Sequence, residues 1–196
     1  MRFLIGVLLL AVLAGYVAGG RLRKVESLRI RWWGLAPLGL ALQLVPISGD
    51  THGERLVTVG LLIASYPILM LFALANIRLA GFALILVGLG LNLTVIAANQ
   101  GMPVTKHALE ASGQGDVLGE LQKHSGAKHF LARPGNVTLE PLADVIPIGS
   151  PVNQVVSVGD CVVYGGVVWL IVAAMRGRPG LSIPRRRGRT AEPARS

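Results

Sequence analysis

Long apolar runs separated by short polar stretches dominate the chain. An α-helix rises about 1.5 Å per residue, so about 20 apolar residues are needed to cross the hydrocarbon core of a bilayer. Five runs approach that length, and they cover residues 3–19, 32–48, 56–75, 79–98 and 160–175. The pattern therefore predicts an all-α fold, a polytopic transmembrane helix bundle of about five spans.

The composition agrees with a membrane protein. The 196 residues are 52% hydrophobic and 15% charged, which is too little charge to cover the surface of a soluble domain of this length. A single cysteine, Cys161, excludes an intrachain disulfide and any multi-cysteine metal site. The histidines show no paired metal-ligand spacing and no phosphate-binding loop occurs, so neither a metal nor a cofactor is expected.

Positive charge is concentrated in two places, which sets the expected orientation. Five cations lie in residues 21–31, and seven arginines follow residue 175. Positively charged loops stay in the cytoplasm, so five spans satisfy both clusters when the N-terminus is outside and the C-terminus is cytoplasmic. The expected parts are four transmembrane helices (1–100), an extracytoplasmic loop subdomain (101–158), a fifth transmembrane helix (159–176) and a disordered basic cytoplasmic tail (177–196).

The basic clusters also indicate partners. Arginines beside hydrophobic helices are typical of contacts with anionic lipids. No aromatic or recognition module accompanies them, as nucleic-acid binding would require. We therefore expect contacts with the lipid bilayer, with anionic lipids at residues 21–31 and 176–196, and no nucleic acid. A membrane-anchored peptide or protein is the expected partner of the outer loop.

Polar side chains inside apolar helices are costly, so they tend to mark partners or function. Asn92 and Asn99 are two helical turns apart and therefore share a face of the fourth predicted span. The predicted orientation puts a set of polar residues at one depth, in the outer half of the bundle, and predicts a polar cluster there. Its members are Gln43, Asn92, Asn99, Asp160 and Tyr164.

These residues also have a structural interpretation. Asn and Gln join membrane helices through hydrogen bonds worth about 0.6–2 kcal/mol. Asp160 and Ser157 suit the N-cap of the last helix, and Asp144 suits a turn. The glycines at 159, 165 and 166 are expected to let helices approach closely.

Two aspartates flank an apolar stretch that contains no Lys, Arg or His, LADVIPIGSPVNQVVSVGDCVVYGG from Leu142 to Gly166. Two carboxyls a few ångströms apart cannot both ionise cheaply, so they share a proton. In an aspartyl hydrolase the ionised acid activates water and the protonated acid polarises the scissile carbonyl. If the loop folds back onto the last helix, Asp144 and Asp160 are the candidate catalytic residues.

Three segments carry a resemblance to a known family. They are NLTVIAANQGMPV (92–104), TLEPLADVIPI (138–148) and SVGDCVVYGG (157–166), and GGRLR followed by Gln43 fits as well. In these the chain resembles a family of uncharacterised bacterial integral membrane proteins, known as a domain of unknown function. The resemblance covers nearly the whole chain, except the arginine tail. It implies a small multi-pass protein of the bacterial cell membrane and implies no activity.

A weaker, local resemblance is to the lipoprotein signal peptidase, signal peptidase II. LADVIPI around Asp144 and SVGDCVV around Asp160 are similar to that family's two aspartate segments in their order and apolar setting. The resemblance implies an intramembrane aspartyl hydrolase with these two residues as its catalytic pair. The chain departs from the family in its five predicted spans, in lacking the GNxxDR motif and in its insertion at 101–140.

Two functions are therefore expected. The first is non-enzymatic: a structural, sensory or accessory membrane component with an extracytoplasmic partner surface. The alternative is a hydrolase like signal peptidase II that uses Asp144 and Asp160. The first is favoured because the motifs that would support the second are absent.

Overall fold

Helices account for most of the residues that the structure, a computed structural model, describes. The described residues are 2–45, 51–123, 128–132 and 135–180. Within them the α-helices are α1 (Arg2–Val17), α2 (Leu35–Leu44), α3 (His52–Ala75), α4 (Phe82–Asn99), α5 (Lys106–Ala111), α6 (Gly115–Lys123) and α7 (Val158–Met175).

Three of these helices, α3, α4 and α7, are long and apolar enough to cross a membrane. A mostly helical protein with helices of membrane-spanning length is thus confirmed. The other two apolar helices have 16 residues in α1 and 10 in α2, and the count of five spans stays a prediction. The predicted tail, from residue 181 onward, lies outside the described residues.

The second apolar run becomes helical later than the pattern predicts. Residues 31–34 form a turn, in which Trp32 adopts a left-handed backbone with φ 51°. After this turn α2 packs against α3. Gly39 of α2 lies so close to Leu69 of α3 that a larger side chain at position 39 would overlap with Leu69. The two helices are also joined by a hydrogen bond of 2.9 Å.

The closest helix pair is α4 with α7, and glycines make that approach possible. A Cβ atom at Gly81 would collide with the carbonyl oxygen of Gly166, and Gly81 also has a left-handed φ of 83°. One at Gly88 would lie 2.5 Å from the Gly159 oxygen. Close packing is thus confirmed for Gly159 and Gly166, whereas a Cβ atom at Gly165 would meet nothing within 4 Å.

The remaining long helices complete the bundle around this pair. Helix α3 packs on α4 through a core of Leu62, Tyr66, Val95, Ile96 and Met102. Helix α1 runs parallel to α7: the Phe3 ring meets Tyr164 edge-on at 4.8 Å, and Gly15 faces Met175. The bundle therefore has two distinct ends, a loop end where α4 ends and α7 begins, and a basic end where α7 ends.

The chain between α4 and α7 folds onto the loop end. Strand β1 (Met102–Val104) pairs in parallel with β2 (His129–Leu131), and β3 (Ile146–Ile148) pairs antiparallel with β4 (Gln154–Val156). These strands and the helices α5 and α6 bury a small core of their own. It consists of Val104, Ala108, Leu109, Leu118 and Val155.

Candidate functional site

Helix α7 begins at a reciprocal capping box. The Ser157 hydroxyl accepts a hydrogen bond from the Asp160 backbone N–H at 3.0 Å, and Asp160 Oδ2 accepts one from the Ser157 N–H at 3.2 Å. Such a box satisfies two backbone donors that a helix start otherwise leaves without partners. Ser157 is therefore the N-cap, and Asp160 is its third-position partner.

Asn92 joins this capping box to α4. Its Nδ2 donates to Asp160 Oδ1 at 2.7 Å, and its Oδ1 accepts a hydrogen bond from Ser157 Oγ at 2.9 Å. Both Asn92 and Ser157 are buried. The absence of a side chain at Gly159 makes room for the amide, because a Cβ atom there would collide with Asn92 Oδ1. One carboxylate oxygen of Asp160 thus bonds to α4, and the other completes the capping box of α7.

Asp144 approaches the same end of the bundle from the loop. Its backbone N–H donates to the Pro103 oxygen at 3.0 Å, and its own carbonyl accepts from the Thr105 N–H at 3.3 Å, so it lies beside β1. The residue is 7% exposed. Its Oδ1 is buried and has no hydrogen-bond partner among the described residues. A buried polar atom without a partner is uncommon and costly, which singles this side chain out.

The other carboxyl oxygen of Asp144 lies 3.8 Å from His129 Nε2. Burial, together with the charge of Asp160, raises the pKa of Asp144 to about 8. About half of the His129 side chain is accessible, but burial of the rest lowers the pKa of its imidazole below the usual 6.5. With its pKa at about 8, the Asp144 carboxyl is protonated around pH 7, so this contact is not a salt bridge.

Electrostatic interactions connect the two aspartates and a tyrosine of α3. The charge of Asp160 helps to raise the pKa of Asp144, and the Tyr66 hydroxyl lies near enough to both carboxyls to be influenced by their charge. Tyr66 is itself buried in the core between α3 and α4. We call this set of side chains the polar centre; its members are Tyr66, Asn92, Asp144, Ser157 and Asp160.

The other residues predicted for a polar cluster are bound elsewhere. Gln43 donates to Ser65 of α3 at 2.9 Å. Asn99 exchanges two hydrogen bonds of 2.8 Å with the Thr138 backbone and so fastens the loop to the end of α4. The Tyr164 ring packs on α1. Of the predicted set, hydrogen bonds bring together Asn92 and Asp160.

Two neighbours of these residues were not singled out from sequence. His129, one of the histidines without a paired metal-ligand spacing, contacts Asp144. Lys128 donates through Nζ to the carbonyl oxygens of Gln43 and, at 3.3 Å, Val45, and so caps the C-terminal end of α2. Neither contact has a local sequence signal, because the partner of His129 is 15 residues away and the partners of Lys128 are more than 80 residues away. In the described part of the chain no group of three or more His, Cys, Asp or Glu side chains is placed to hold a metal ion.

Comparison with known proteins places the chain in a family but assigns it no activity. No curated protein and no solved structure matches the chain. The model of DUF5317, described as a family of unknown function, matches residues 27–172, which include the whole polar centre. The resemblance to an uncharacterised family is thereby confirmed, whereas the resemblance to signal peptidase II stays a prediction. The chain belongs to the DUF5317 family.

Proposed function

We propose that the chain is a five-span protein of the bacterial cell membrane with a structural, sensory or accessory role. Its N-terminus is outside, its C-terminus is cytoplasmic, and the loop region presents a surface to a membrane-anchored peptide or protein. One observation carries the non-enzymatic assignment: both carboxylate oxygens of Asp160 accept structural hydrogen bonds, one from Asn92 of α4 and one from the Ser157 N–H in the capping box of α7. An acid engaged in this way acts as a helix junction.

The construction of the loop region supports a role in presenting a surface. It has its own buried core, and the Asn99 side chain attaches it to the end of α4 through two hydrogen bonds with the Thr138 backbone. Its helix α5 places charged side chains at the surface, including the exposed ion pair Lys106–Glu110 at 3.6 Å. A surface of this kind, held close to the helix ends, suits a partner that is itself attached to the membrane.

The orientation is tested by cysteine labelling. Cys161 is replaced by Ala, and single cysteines replace Lys106 in the loop and Arg78 at the basic end. A membrane-impermeant thiol reagent applied to intact cells is expected to modify the variant at position 106 and to modify the variant at position 78 only after lysis. The reverse pattern would exclude the proposed orientation.

The non-enzymatic role is tested at Asp144, because the amide of Asn can occupy the same space without acting as an acid. A strain that lacks the gene is complemented with Asp144→Asn or with the unchanged chain, at equal protein levels in the membrane. We expect both chains to restore the normal phenotype in the deletion strain. Failure of Asp144→Asn alone would favour chemistry at this residue.

A second function, aspartyl hydrolysis, is favoured by one observation. Asp144 carries a proton at neutral pH, since its pKa is about 8, and it lies within the field of the Asp160 carboxylate. A proton-bearing acid beside a charged one is the asymmetry that such a hydrolase needs, with Asp160 activating water and Asp144 polarising the scissile carbonyl. This function predicts that Asp144→Asn and Asp160→Asn each abolish activity and that the double variant is no worse.

A further inference from the structure

Three segments that are far apart in sequence bring their positive charges together at the basic end of the bundle. They are the chain after α1, the turn between α3 and α4, and the end of α7. All the cations in them have exposed side chains. We call them the basic surface; its members are Arg21, Arg23, Lys24, Arg29, Arg31, Arg78, Arg176 and Arg178.

Hydrogen bonds to backbone carbonyls join the first of these segments to the last. The Arg21 N–H donates to the Met175 carbonyl at 2.8 Å, and Lys24 Nζ lies 3.5 Å from the Arg176 carbonyl oxygen. Gly177 packs against the aliphatic part of Lys24, so the two segments lie side by side. The charges of both segments therefore belong to one surface, although about 150 residues separate them in sequence.

Asn76, at the end of α3, fixes the far edge of the basic surface. Its buried side chain accepts a hydrogen bond from the Arg31 N–H and donates to the Arg31 carbonyl, both at 2.8 Å. The turn that carries Arg78 is tied to the chain after α7 by a bond of 2.7 Å from the Ala80 N–H to the Pro179 oxygen. The backbone of the surface is thus held in place before any partner binds.

The protein supplies little counter-charge at this end. In the described residues no cation of the basic surface forms an ion pair, and the three segments contain one acid, Glu26. The C-terminal ends of α3 and α7 face the surface with their negative dipole ends, which favours cations but does not neutralise them. An external anion is therefore the expected complement.

Two tryptophans indicate what kind of anion this is. Trp32 and Trp33 directly follow Arg31 and are 55% and 72% exposed. Indole rings prefer the boundary between headgroups and acyl chains. Beyond the function proposed above, we propose that the basic surface binds the phosphates of anionic phospholipids while the two indoles lie among the adjoining acyl chains.

The proposal is tested with the purified full-length protein in detergent micelles. Phosphatidylglycerol is titrated in, and bound lipid is counted by native mass spectrometry. Replacing Arg23 and Lys24 by Gln is expected to weaken binding about fivefold per cation, or roughly 25-fold together. The matched control, Arg55→Gln with Lys106→Gln, removes the same charge from the loop end and is expected to leave binding unchanged. Equal losses in both pairs would mean that net charge alone attracts the lipid, which overturns the proposal.

Substitutions that keep the net charge test whether lipid binding depends on the positions of the side chains as well as on the total charge. Asn76→Leu releases Arg31 without altering net charge, and it is expected to weaken lipid binding on the order of fivefold, the value of one cation. Trp33→Ala tests the same point without a buried substitution and is expected to weaken binding of phosphatidylglycerol. Glycerol phosphate, which has no acyl chains, is expected not to displace the lipid. Unchanged binding in Trp33→Ala, or displacement by glycerol phosphate or by an RNA oligonucleotide, would refute a lipid-specific surface.

Discussion

The buried carboxyl of Asp144 makes stability depend on pH in a way that can be measured. Its pKa rises from 3.8 to about 8 on folding, mainly through burial. The folded state therefore holds this proton up to a higher pH than the unfolded state. By linkage, the free energy of unfolding is highest at acidic pH and falls as the pH rises toward 8, where the folded carboxyl finally loses its proton.

The magnitude follows from the size of the shift. Each pH unit across which only the folded state is protonated changes the free energy of unfolding by about 1.4 kcal/mol. His129 acts in the opposite sense, because its lowered pKa adds stability as the pH rises to 6.5. Above pH 6.5 the imidazole is neutral in both states, so Asp144 dominates. Between pH 6.5 and 8 the unchanged protein is expected to lose about 2 kcal/mol.

Asp144→Asn removes this dependence, since an amide neither gains nor loses a proton in this range. The variant is expected to be about 4 kcal/mol more stable than the unchanged protein at pH 7, with a flat profile between pH 6.5 and 8. Thermal or denaturant unfolding in micelles, followed by tryptophan fluorescence, measures both quantities. Profiles that stay parallel in the two proteins would show that Asp144 is already ionised in the folded state and would refute the reasoning.

Further substitutions test how the helices and the loop are held. Gly159→Ala is expected to displace the amide next to it and to cost about 1–3 kcal/mol of unfolding free energy, whereas Gly165→Ala, which meets open space, should be nearly neutral in the same unfolding assay. Lys128→Met leaves the end of α2 uncapped and is expected to cost about 1–3 kcal/mol, against less than about 1 kcal/mol for Lys106→Met at the surface. Asn99→Ala removes two bonds to the loop and should speed hydrogen exchange of the loop amides without affecting those of α7.

The sequence pattern predicts the helical elements well where apolar length dominates. The ends of α3, α4 and α7 lie within one residue of the ends of the apolar runs, and their starts lie within four residues of the predicted ones. The predicted start of the second helix is wrong, because a turn at Trp32, which has a left-handed backbone conformation, precedes the helix. Hydrophobicity carries no information about such a turn. Periodicity fixes which residues are apolar, but not where a backbone reverses.

Pairs within the candidate site were only partly predictable. Asp160 and Asn92 were expected at one depth because each is a polar residue in an apolar run, and they do form a hydrogen bond. The contacts of Asp144 and Lys128 depend on how the loop folds, and long-range loop contacts leave no periodic signal. Gln43 was expected at the same depth but lies outside the polar centre. Depth alone does not decide which neighbour a side chain faces, because the rotation of the helix about its axis also matters.

Exchanging the two polar residues between α4 and α7 distinguishes a helix junction from a catalytic acid. In Asp160→Asn alone, two N–H donors face a side chain with a single acceptor oxygen, so one bond is lost at a cost of about 1–3 kcal/mol. Asn92→Asp alone places two carboxylates in contact. In the double variant the amide at position 160 donates to the carboxylate at position 92 and still accepts the Ser157 N–H, while the Ser157 hydroxyl still donates to position 92.

The double variant therefore keeps every hydrogen bond and moves only the charge, from α7 to α4. A structural role predicts that it recovers most of the unfolding free energy lost in the single variants, and that it complements a deletion strain as well as the unchanged chain does. A catalytic role predicts recovered stability without complementation, because the acid no longer stands where water would be activated. The free energies of unfolding of the unchanged protein, the two single variants and the double variant complete a double-mutant cycle and give the coupling energy between positions 92 and 160. A double variant no more stable than either single variant would mean that these hydrogen bonds do not hold the helices together.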